Sequence, residues 1–401
     1  MFNAHNQPRI TYVFSDDSFP DEIKASVFLA GPSPRNFKAE DEWIHWRHLA
    51  VDIIRDSGYE GHLFIPIPRA VFHGKEPLNQ QVGYVQQIEW EERALNRADA
   101  ILFWLERSEL SMGLTTNFEL GKYWESGRVF MGAPVESERN RYFISSAKRR
   151  GFEFNYSLNE LIDNVVSYIG DGAVRRGGEC NVPLIIWNTE QFQDWYGNVL
   201  KAGNRLDNFN VKMVLSHGPK RTVFAYVGWA DVHITAEGRQ KSNECLFSRT
   251  KTSYINAYYV HSDGAREHVL VREFRTPANN PLGYVFELPG GSSFGNETPL
   301  ETAAKELHEE IGVLIEDTSR FQALTERQPF ATMTSNLISL FSVELTDEEW
   351  AQVIEGVRNS TVYGETDGER ITLHTVKDDE LYSKFPLDFS TIGMIALSGC
   401  K

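Results

Sequence analysis

The chain has 401 residues, of which 40 are Lys or Arg and 56 are Asp or Glu, so its formal net charge is −16. This charge repels an extended phosphate backbone and argues against nucleic acid as a partner. No run of about 18 apolar residues occurs, so we expect a soluble protein that does not span a membrane. At roughly 100–200 residues per domain, the length predicts two domains.

The amino terminus and the cysteines both predict a cytoplasmic protein. The first residues are polar and acidic, whereas a signal peptide needs a basic start and an apolar centre. Cys180, Cys245 and Cys400 are widely spaced and form no metal-ligand pattern. Widely spaced cysteines that form neither disulfide nor metal-ligand patterns are typical of proteins in a reducing compartment.

The first half of the chain alternates short apolar runs with helical patterns. The runs ASVFLAGP, HLFIPIP, DAILFWL and RVFMGAP predict strands, and the segments between them, together with LNELIDNVVSYIG, predict helices. Because alternating strands and helices form a parallel sheet covered on both faces, we expect a doubly wound α/β domain over residues 24–172. Residues 1–23 form an N-terminal extension in this interpretation.

The second half has a different pattern. The glycine-rich stretch DGAVRRGGECNVP predicts a linker over residues 173–207. The runs TVFAYVGWADVHI, SYINAYYV and EHVLVREFR then predict antiparallel strands, and a helix is expected from Pro299 to Ile311. Strands followed by helices predict a second domain of the α+β class over residues 208–401.

The predicted helix from Pro299 carries a cluster of carboxylates. Glu306, Glu309 and Glu310 stand at positions i, i+3 and i+4, so the three side chains share one helix face and repel one another. A hard divalent cation such as Mg²⁺ or Mn²⁺ removes this repulsion, because oxygen ligands suit it. Gly290 and Gly291, just upstream, allow the backbone to approach the same cation.

The spacing of these residues, from Gly291 through Glu297 and Lys305-Glu306 to Glu309-Glu310 and Gly312, resembles the Nudix box, with lysine at Lys305 where the family has arginine. The resemblance implies an α/β/α sandwich that hydrolyses a diphosphate bridge with metal-activated water. It implies that Glu297 pairs with Lys305, that Glu309 and Glu310 are catalytic, and that the metal ligands come from Gly291, Glu306, Glu309 and Glu310. The proton acceptor is a box glutamate or one of Glu365, Asp367 and Glu369.

The strands before the box resemble a Nudix subgroup that acts on ADP-ribose and related dinucleotides. The resemblance lies in VLVREFR followed by GYVFELPGG, and it implies that Arg272 and Arg275 contact phosphates or pair with Glu273 and its neighbours. The strands between residues 208 and 248 fit the dimer interface of that subgroup, so we expect a homodimer or a higher homo-oligomer.

The segments FLAGPSPR, QQIEWEERALNRADAILFWL and LTTNFELG resemble the nucleoside 2-deoxyribosyltransferase-like family over roughly residues 24–170. This resemblance implies cleavage or exchange of an N-glycosidic bond, with Glu119 as nucleophile and Asp99 as the acid that protonates the departing base. It implies substrate contacts from Ser33, Arg35, Thr116 and Asn117. An aspartate that many transferases carry is replaced here by Gly113.

These features together predict a bifunctional enzyme of nucleotide metabolism. Its substrates are small nucleotides: an ADP-ribose- or NAD-like compound for the second domain and an N-glycoside for the first. A different class stays open, namely a nucleotide-sensing protein that binds in both pockets without turnover. Lys305 and Gly113 favour the sensor, and the complete set of box glutamates disfavours it.

Overall fold

The computed structural model describes residues 10–33, 45–76, 84–109, 111–218, 221–292, 297–364 and 368–399. The chain divides into two compact units, Met1–Phe247 and Ser248–Lys401. Among the described residues, no helix combines the length and the hydrophobicity that crossing a membrane requires. Three residues with predicted roles, Arg35, Glu365 and Asp367, lie outside the described residues, as does Cys400.

The first unit contains eleven strands and eight helices among its described residues. In chain order they are β1 (Ile10–Phe14), β2 (Glu22–Ile23), β3 (Ser26–Ala30), α1 (Trp46–Asp56), β4 (Gly61–Ile65), α2 (Arg69–Phe72), α3 (Tyr84–Arg97), β5 (Ala100–Trp104), α4 (Leu114–Tyr123), β6 (Val129–Gly132), α5 (Arg141–Arg149), β7 (Phe154–Asn155), α6 (Leu158–Ile169), β8 (Arg175–Arg176), α7 (Leu184–Trp187), α8 (Glu190–Lys201), β9 (Arg205–His217), β10 (Thr222–Ile234) and β11 (Arg239–Arg249).

Six of these strands form a wholly parallel sheet in the order β1-β4-β3-β5-β6-β7. Apolar side chains of α1 and α6 cover one face, and those of α3, α4 and α5 cover the other. The central strands β3 and β5 are fully buried, which explains why their sequences are continuous apolar runs. The predicted doubly wound α/β fold is therefore confirmed.

The strand order reverses direction between β3 and β5. From β3 the chain continues to β4 on one side, and β5 then continues to β6 on the other side. In open parallel sheets, ligands bind outside the carboxyl ends of the strands at such a switch point. This rule directs attention to the segments after Ala30 and after Trp104.

The segment predicted as a linker is instead part of the first unit's core. Arg175 in β8 is fully buried and forms an ion pair with Asp99. Helices α7 and α8 pack against β9 and β10 through Ile186, Phe192 and Phe209, and β9, β10 and β11 form an antiparallel sheet. The boundary between the units thus falls at residue 247 rather than at residue 207, because these strands bury their apolar face within the first unit.

The second unit contains the remaining elements. In chain order they are β12 (Thr252–Val260), β13 (Arg266–Phe274), β14 (Tyr284–Glu287), β15 (Gly290–Ser292), α9 (Pro299–Ile311), β16 (Gln322–Arg327), β17 (Ile338–Glu344), α10 (Asp347–Asn359), β18 (Val362–Tyr363), β19 (Ile371–Lys377) and α11 (Phe389–Gly399).

Its sheet is mixed, with the order β16-β17-β12-β13-β19-β18. Strands β12 and β17 run parallel and the other pairs run antiparallel, with β14 on β13 and β15 on β12. Helices α9 and α10 pack on one face, and α11 packs on the other. The predicted α/β/α arrangement of this unit is confirmed, and its helix from Pro299 to Ile311 begins and ends as expected.

Candidate active sites in the two units

The carboxylate helix α9 has strong local start and stop signals. Thr298 caps its amino end, where its side chain accepts a hydrogen bond from the Glu301 amide and the Glu301 carboxylate accepts one from the Thr298 amide. Pro299 occupies the first turn, and Gly312 ends the helix in a left-handed conformation with φ of 78°. These signals fix which helix face carries Glu306, Glu309 and Glu310.

Strand β15 brings two backbone groups to that face. Gly290 donates its amide hydrogen to Glu310 Oε2 over 2.9 Å. A Cβ atom at Gly291 would lie 2.9 Å from Glu306 Oε2, and Oε1 and Cδ would be closer still. A side chain at position 291 would therefore displace the Glu306 carboxylate from its place beside the strand.

The electrostatics of this cluster are unfavourable without a counterion. Burial, followed by the Glu309 carboxylate, raises the pKa of Glu306 to about 7. Burial likewise raises the pKa of Glu310 well above its ordinary value, although the Gly290 amide acts in the opposite direction. Glu369 contributes to both increases, so its carboxylate belongs to the same cluster.

The cluster suits a divalent cation, although the side chains do not yet converge. Among the described residues, no group of three His, Cys, Asp or Glu side chains is arranged to hold a metal ion as it stands. Glu309 Oε1 instead lies 3.9 Å from Lys305 Nζ on an exposed part of α9. The donor set still fits, because Glu306 and Glu310 lie against Gly291 and Gly290 and a divalent cation would relieve the repulsion between them.

Glu297 and Lys305, which are predicted to pair, both lie near other glutamates of the cluster. Glu297 is close enough to Glu306 to raise its pKa further, and Lys305 forms an ion pair with Glu309. Pairing between Glu297 and Lys305 stays a prediction.

The two arginines of β13 and its following turn have different environments. Arg275 lies between two carboxylates, with its Nη2 atom 2.8 Å from Glu273 Oε2 and 3.1 Å from Glu287 Oε1. The Arg272 guanidinium stacks 3.5 Å from the centre of the Tyr284 ring. Of the two alternatives for Arg275, the structure shows pairing with Glu273 and its neighbour. Phosphate contacts from Arg272 and Arg275 stay predictions.

In the first unit, the switch point is built by the turn after β3 and the start of α4. Gly113 caps α4 with φ of 65°, and a Cβ atom there would lie 2.7 Å from Pro32 Cγ. The two segments are therefore in direct contact. Thr116 is buried in the first turn of α4, and Asn117 and Glu119 follow on the same helix.

Sequence reasoning did not identify Arg47, which organises this site. Its fully buried guanidinium donates to the carbonyl oxygens of Leu29 and Gly31 over 3.0 and 2.8 Å, and to Ser33 Oγ over 2.9 Å. The preceding Trp46 donates its ring N–H to the Pro32 carbonyl over 3.2 Å. These four hydrogen bonds attach the turn after β3, including the predicted substrate contact Ser33, to the start of α1.

A second residue that sequence reasoning missed is Glu91 on α3. Burial, followed by the Glu91 carboxylate, raises the pKa of Glu119 to about 8. Burial also raises the pKa of Glu91, and it lowers the pKa of Arg47 to about 9 although both glutamates oppose that change. The structure therefore places two interacting carboxyl groups and one guanidinium at the switch point. Glu91 was missed because its helix shows an ordinary amphipathic pattern.

The predicted role of Asp99 needs correction. Asp99 precedes β5, so it lies at the amino end of that strand, whereas Glu119 follows its carboxyl end. Five strand residues at about 3.3 Å each separate the two ends. The Asp99 carboxylate is fully buried, accepts two hydrogen bonds from Arg175 over 2.6 and 2.7 Å, and accepts a third from the Leu184 amide. Asp99 therefore holds β8 and α7 against the sheet and cannot protonate a leaving base.

One cavity of about 570 Å³ lies elsewhere in the first unit. It opens on the face of the β9–β10 pair that points away from the α8 contacts, and it is lined by Asn208, Asn210, Lys212, Trp229 and Asp231. None of the predicted site residues lines it.

Two family models match the chain. The model described as nucleoside 2-deoxyribosyltransferase like matches residues 24–136, and the model described as NUDIX domain matches residues 254–363. The chain joins a nucleoside 2-deoxyribosyltransferase-like domain to a NUDIX domain. Both predicted resemblances are therefore confirmed.

No curated protein matches the chain, and the solved structure described next is only weakly similar to it. A solved structure described as "Crystal structure of ADP compounds hydrolase" is similar at 13% identity, covering 49% of this chain and 92% of that chain with a TM-score of 0.32. This similarity is too low to indicate an activity. The NUDIX match itself supports hydrolysis of a nucleotide substrate.

Proposed function

We propose that the NUDIX domain hydrolyses the diphosphate bridge of a nucleoside diphosphate linked to another group, of the ADP-ribose or NAD type. The observation that carries this proposal is that Glu310 accepts a hydrogen bond from the Gly290 amide while Glu306 lies against Gly291. The Glu309 and Glu369 carboxylates help to raise the pKa of Glu306, and Glu306 and Glu369 help to raise that of Glu310. Such a cluster suits a site that binds a cation together with substrate phosphates.

The residues of the second unit have separate tasks in this proposal. Glu306, Glu309 and Glu310 would hold Mg²⁺ or Mn²⁺, and the bound ion would supply charge neutralisation and a more acidic water. The Gly290 amide orients the Glu310 carboxylate through its hydrogen bond. Glu369, which interacts electrostatically with Glu306 and Glu310, would accept a proton from the attacking water.

The first unit would act on an N-glycosidic bond. Burial, followed by the Glu91 carboxylate, raises the pKa of Glu119 to about 8, and burial also raises the pKa of Glu91. The ionised member attacks the sugar carbon and the protonated member donates to the departing base, as paired carboxyl groups do in glycosidases. The family resemblance supports Glu119 as nucleophile, which must ionise from its raised pKa of about 8 before it attacks, and Glu91 would replace Asp99 as the acid. Arg47 favours the ionised form of Glu119 and donates a hydrogen bond to Ser33 in the same site.

A product assay tests both activities. The full chain is incubated with Mg²⁺ and ADP-ribose, NAD, nucleoside triphosphates or nucleoside monophosphates, and the products are separated by chromatography. We expect mononucleotide products that disappear in a Glu309→Gln, Glu310→Gln variant, and free base that disappears in Glu119→Gln. Tight binding of one compound without turnover would contradict the proposal and favour the nucleotide sensor.

A further inference from the structure

The cavity on the β9–β10 pair is lined by polar side chains and one aromatic ring. Its volume of about 570 Å³ falls in the range of roughly 300–1,000 Å³ that is usual for small-molecule sites. The lining consists of an indole, two amides, a carboxylate and an ammonium group, from Trp229, Asn208, Asn210, Asp231 and Lys212. None of these residues has a role in the two proposed reactions, which therefore leave the cavity without a function.

The two strands hold these side chains at fixed spacing on one face of the sheet. Trp229 lies directly opposite Asn210, and Asp231 lies directly opposite Asn208, so the four residues form two neighbouring cross-strand pairs. The Cβ atoms of such pairs are about 5 Å apart. Asn208 Nδ2 also donates to Asp231 Oδ2 over 3.1 Å. The sheet therefore arranges these groups before any ligand arrives.

Strand β10 is irregular on both sides of the cavity. The register with β9 shifts between Val227 and Gly228, and it shifts again between Asp231 and Val232. Such bulges increase the local twist and redirect side chains, and they are common beside active sites. Two bulges thus bracket the short segment that supplies the Trp229 indole and the Asp231 carboxylate.

The opposite face of the same segment is tightly packed. Phe209 is fully buried there, and a Cβ atom at Gly228 would lie 2.5 Å from its Cζ atom. The Phe209 ring packs edge-on against Phe192 and Tyr226. Because this layer leaves no free space, the segment around Trp229 cannot move inward, and the cavity presents a preorganised surface to a ligand.

The chemistry of the lining disfavours two classes of ligand. The charges of Lys212 and Asp231 cancel, so the cavity has no excess of cations to hold a diphosphate. A lipid chain would cover the amides without pairing them, which is unfavourable. Among the described residues, neither Asn210 nor Trp229 forms a side-chain hydrogen bond, and Lys212 forms no ion pair. These groups are therefore available to a neutral ligand that carries many hydroxyl groups.

We propose that this cavity binds a neutral sugar ring, which stacks on the Trp229 indole and forms hydrogen bonds to the polar lining through its hydroxyl groups. A sugar ring presents C–H bonds that pack on an aromatic face, and its hydroxyl groups both donate and accept hydrogen bonds. The amides of Asn208 and Asn210 do the same, the Asp231 carboxylate accepts, and the Lys212 ammonium group donates. This site is additional to the two proposed reactions and depends on neither.

Saturation-transfer difference NMR on the full chain tests for this binding without any need for turnover. The probes are glucose, galactose, mannose, N-acetylglucosamine and ribose, with adenine and adenosine alongside to separate sugar binding from stacking of a base. The protein carries Glu119→Gln and the buffer contains EDTA, so that neither unit converts a probe. Isothermal titration calorimetry then measures the affinity of each sugar that gives a signal.

The variants remove one contribution at a time. Trp229→Ala removes the stacking surface, Trp229→Phe keeps an aromatic ring, and Asn210→Leu removes the amide while it keeps a side chain of similar size. The matched control is Tyr142→Ala, which removes an aromatic ring that is 73% exposed on α5. Light scattering measures the oligomeric state of every variant, because a second copy of the chain is the other candidate to cover this face.

We expect at least one sugar to bind with a Kd on the order of 1 mM, and to bind about ten-fold more weakly in Trp229→Ala and in Asn210→Leu. Trp229→Phe should keep part of the affinity, which distinguishes a lost contact from lost folding, and Tyr142→Ala should keep all of it. The proposal is overturned if no sugar binds, if Trp229→Ala binds as wild type does, if the control loses binding equally, or if adenine alone binds as tightly as any sugar. Dissociation of an oligomer by Trp229→Ala, together with absence of sugar binding, would assign the face to a second copy.

Discussion

Gly291→Ala tests whether the activity of the NUDIX domain depends on the space beside Gly291 that the Glu306 carboxylate occupies. The backbone at position 291 has no left-handed conformation, so alanine introduces no backbone strain there. Its Cβ atom would, however, lie well inside contact distance of the Glu306 carboxylate, with Oε2 at 2.9 Å as the most distant of three close atoms. The carboxylate must move by on the order of 1 Å, and a displacement of that size costs roughly 100-fold in rate.

The assay is the rate of Mg²⁺-dependent hydrolysis of the diphosphate substrate identified in the product screen. The matched control is Gly393→Ala, because a Cβ atom on α11 meets no heavy atom within 4 Å. We expect a roughly 100-fold loss for Gly291→Ala, approaching that of Glu306→Gln, with an unchanged melting temperature and full activity in the control. Activity of Gly291→Ala within about three-fold of wild type would refute this account of the site.

Three further predictions concern the first unit. Between pH 4.5, the ordinary pKa of Glu119, and about pH 8, its raised pKa, the folded chain keeps a proton on Glu119 that the unfolded chain loses. The free energy of unfolding therefore falls as pH rises through this window. Urea denaturation should show this decrease in wild type, by about 2–5 kcal/mol at 1.36 kcal/mol per pH unit, and a flatter profile in Glu119→Gln. Asp99→Asn leaves Arg175 buried without its counterion, so thermal unfolding should report a loss of about 3–5 kcal/mol, whereas Asp56→Asn on the surface should change little. A fragment ending at residue 247 should give a cooperative unfolding transition, and one ending at residue 207 should not, because it lacks the Phe209 and Tyr226 side chains that cover α8.

The parts of the fold that local patterns determine were predictable. The continuous apolar runs of β3 and β5 indicate strands buried on both faces, and Thr298, Pro299 and Gly312 mark the ends of α9. The grouping of Glu306 with Glu310 follows from helical spacing alone. Their contact with β15 depends on a pairing between distant segments, and the family resemblance supplied that part.

The wrong and missing predictions concern residues whose positions are determined by packing between distant segments of the chain. Asp99 has the residue type and the spacing of a site residue, but the strand direction places it at the opposite end of the sheet from Glu119. Arg47 and Glu91 lie on helices whose amphipathic patterns do not distinguish a site residue from a surface residue. The strands after residue 204 alternate in the way of any antiparallel sheet, so their sequence does not show that α7 and α8 will cover them.

The hydrogen bond from Gly290 to Glu310 has a consequence for how this chain tolerates change. Its donor is a backbone amide, so only proline deletes the donor itself, but a Cβ atom at position 290 would clash with the Ser253 carbonyl oxygen and displace the strand that carries the amide. At position 291 a side chain would instead reach the Glu306 carboxylate. The two adjacent glycines are thus sensitive to substitution for different reasons: a change at position 290 moves the backbone that aligns one carboxylate, and a change at position 291 moves the other carboxylate itself.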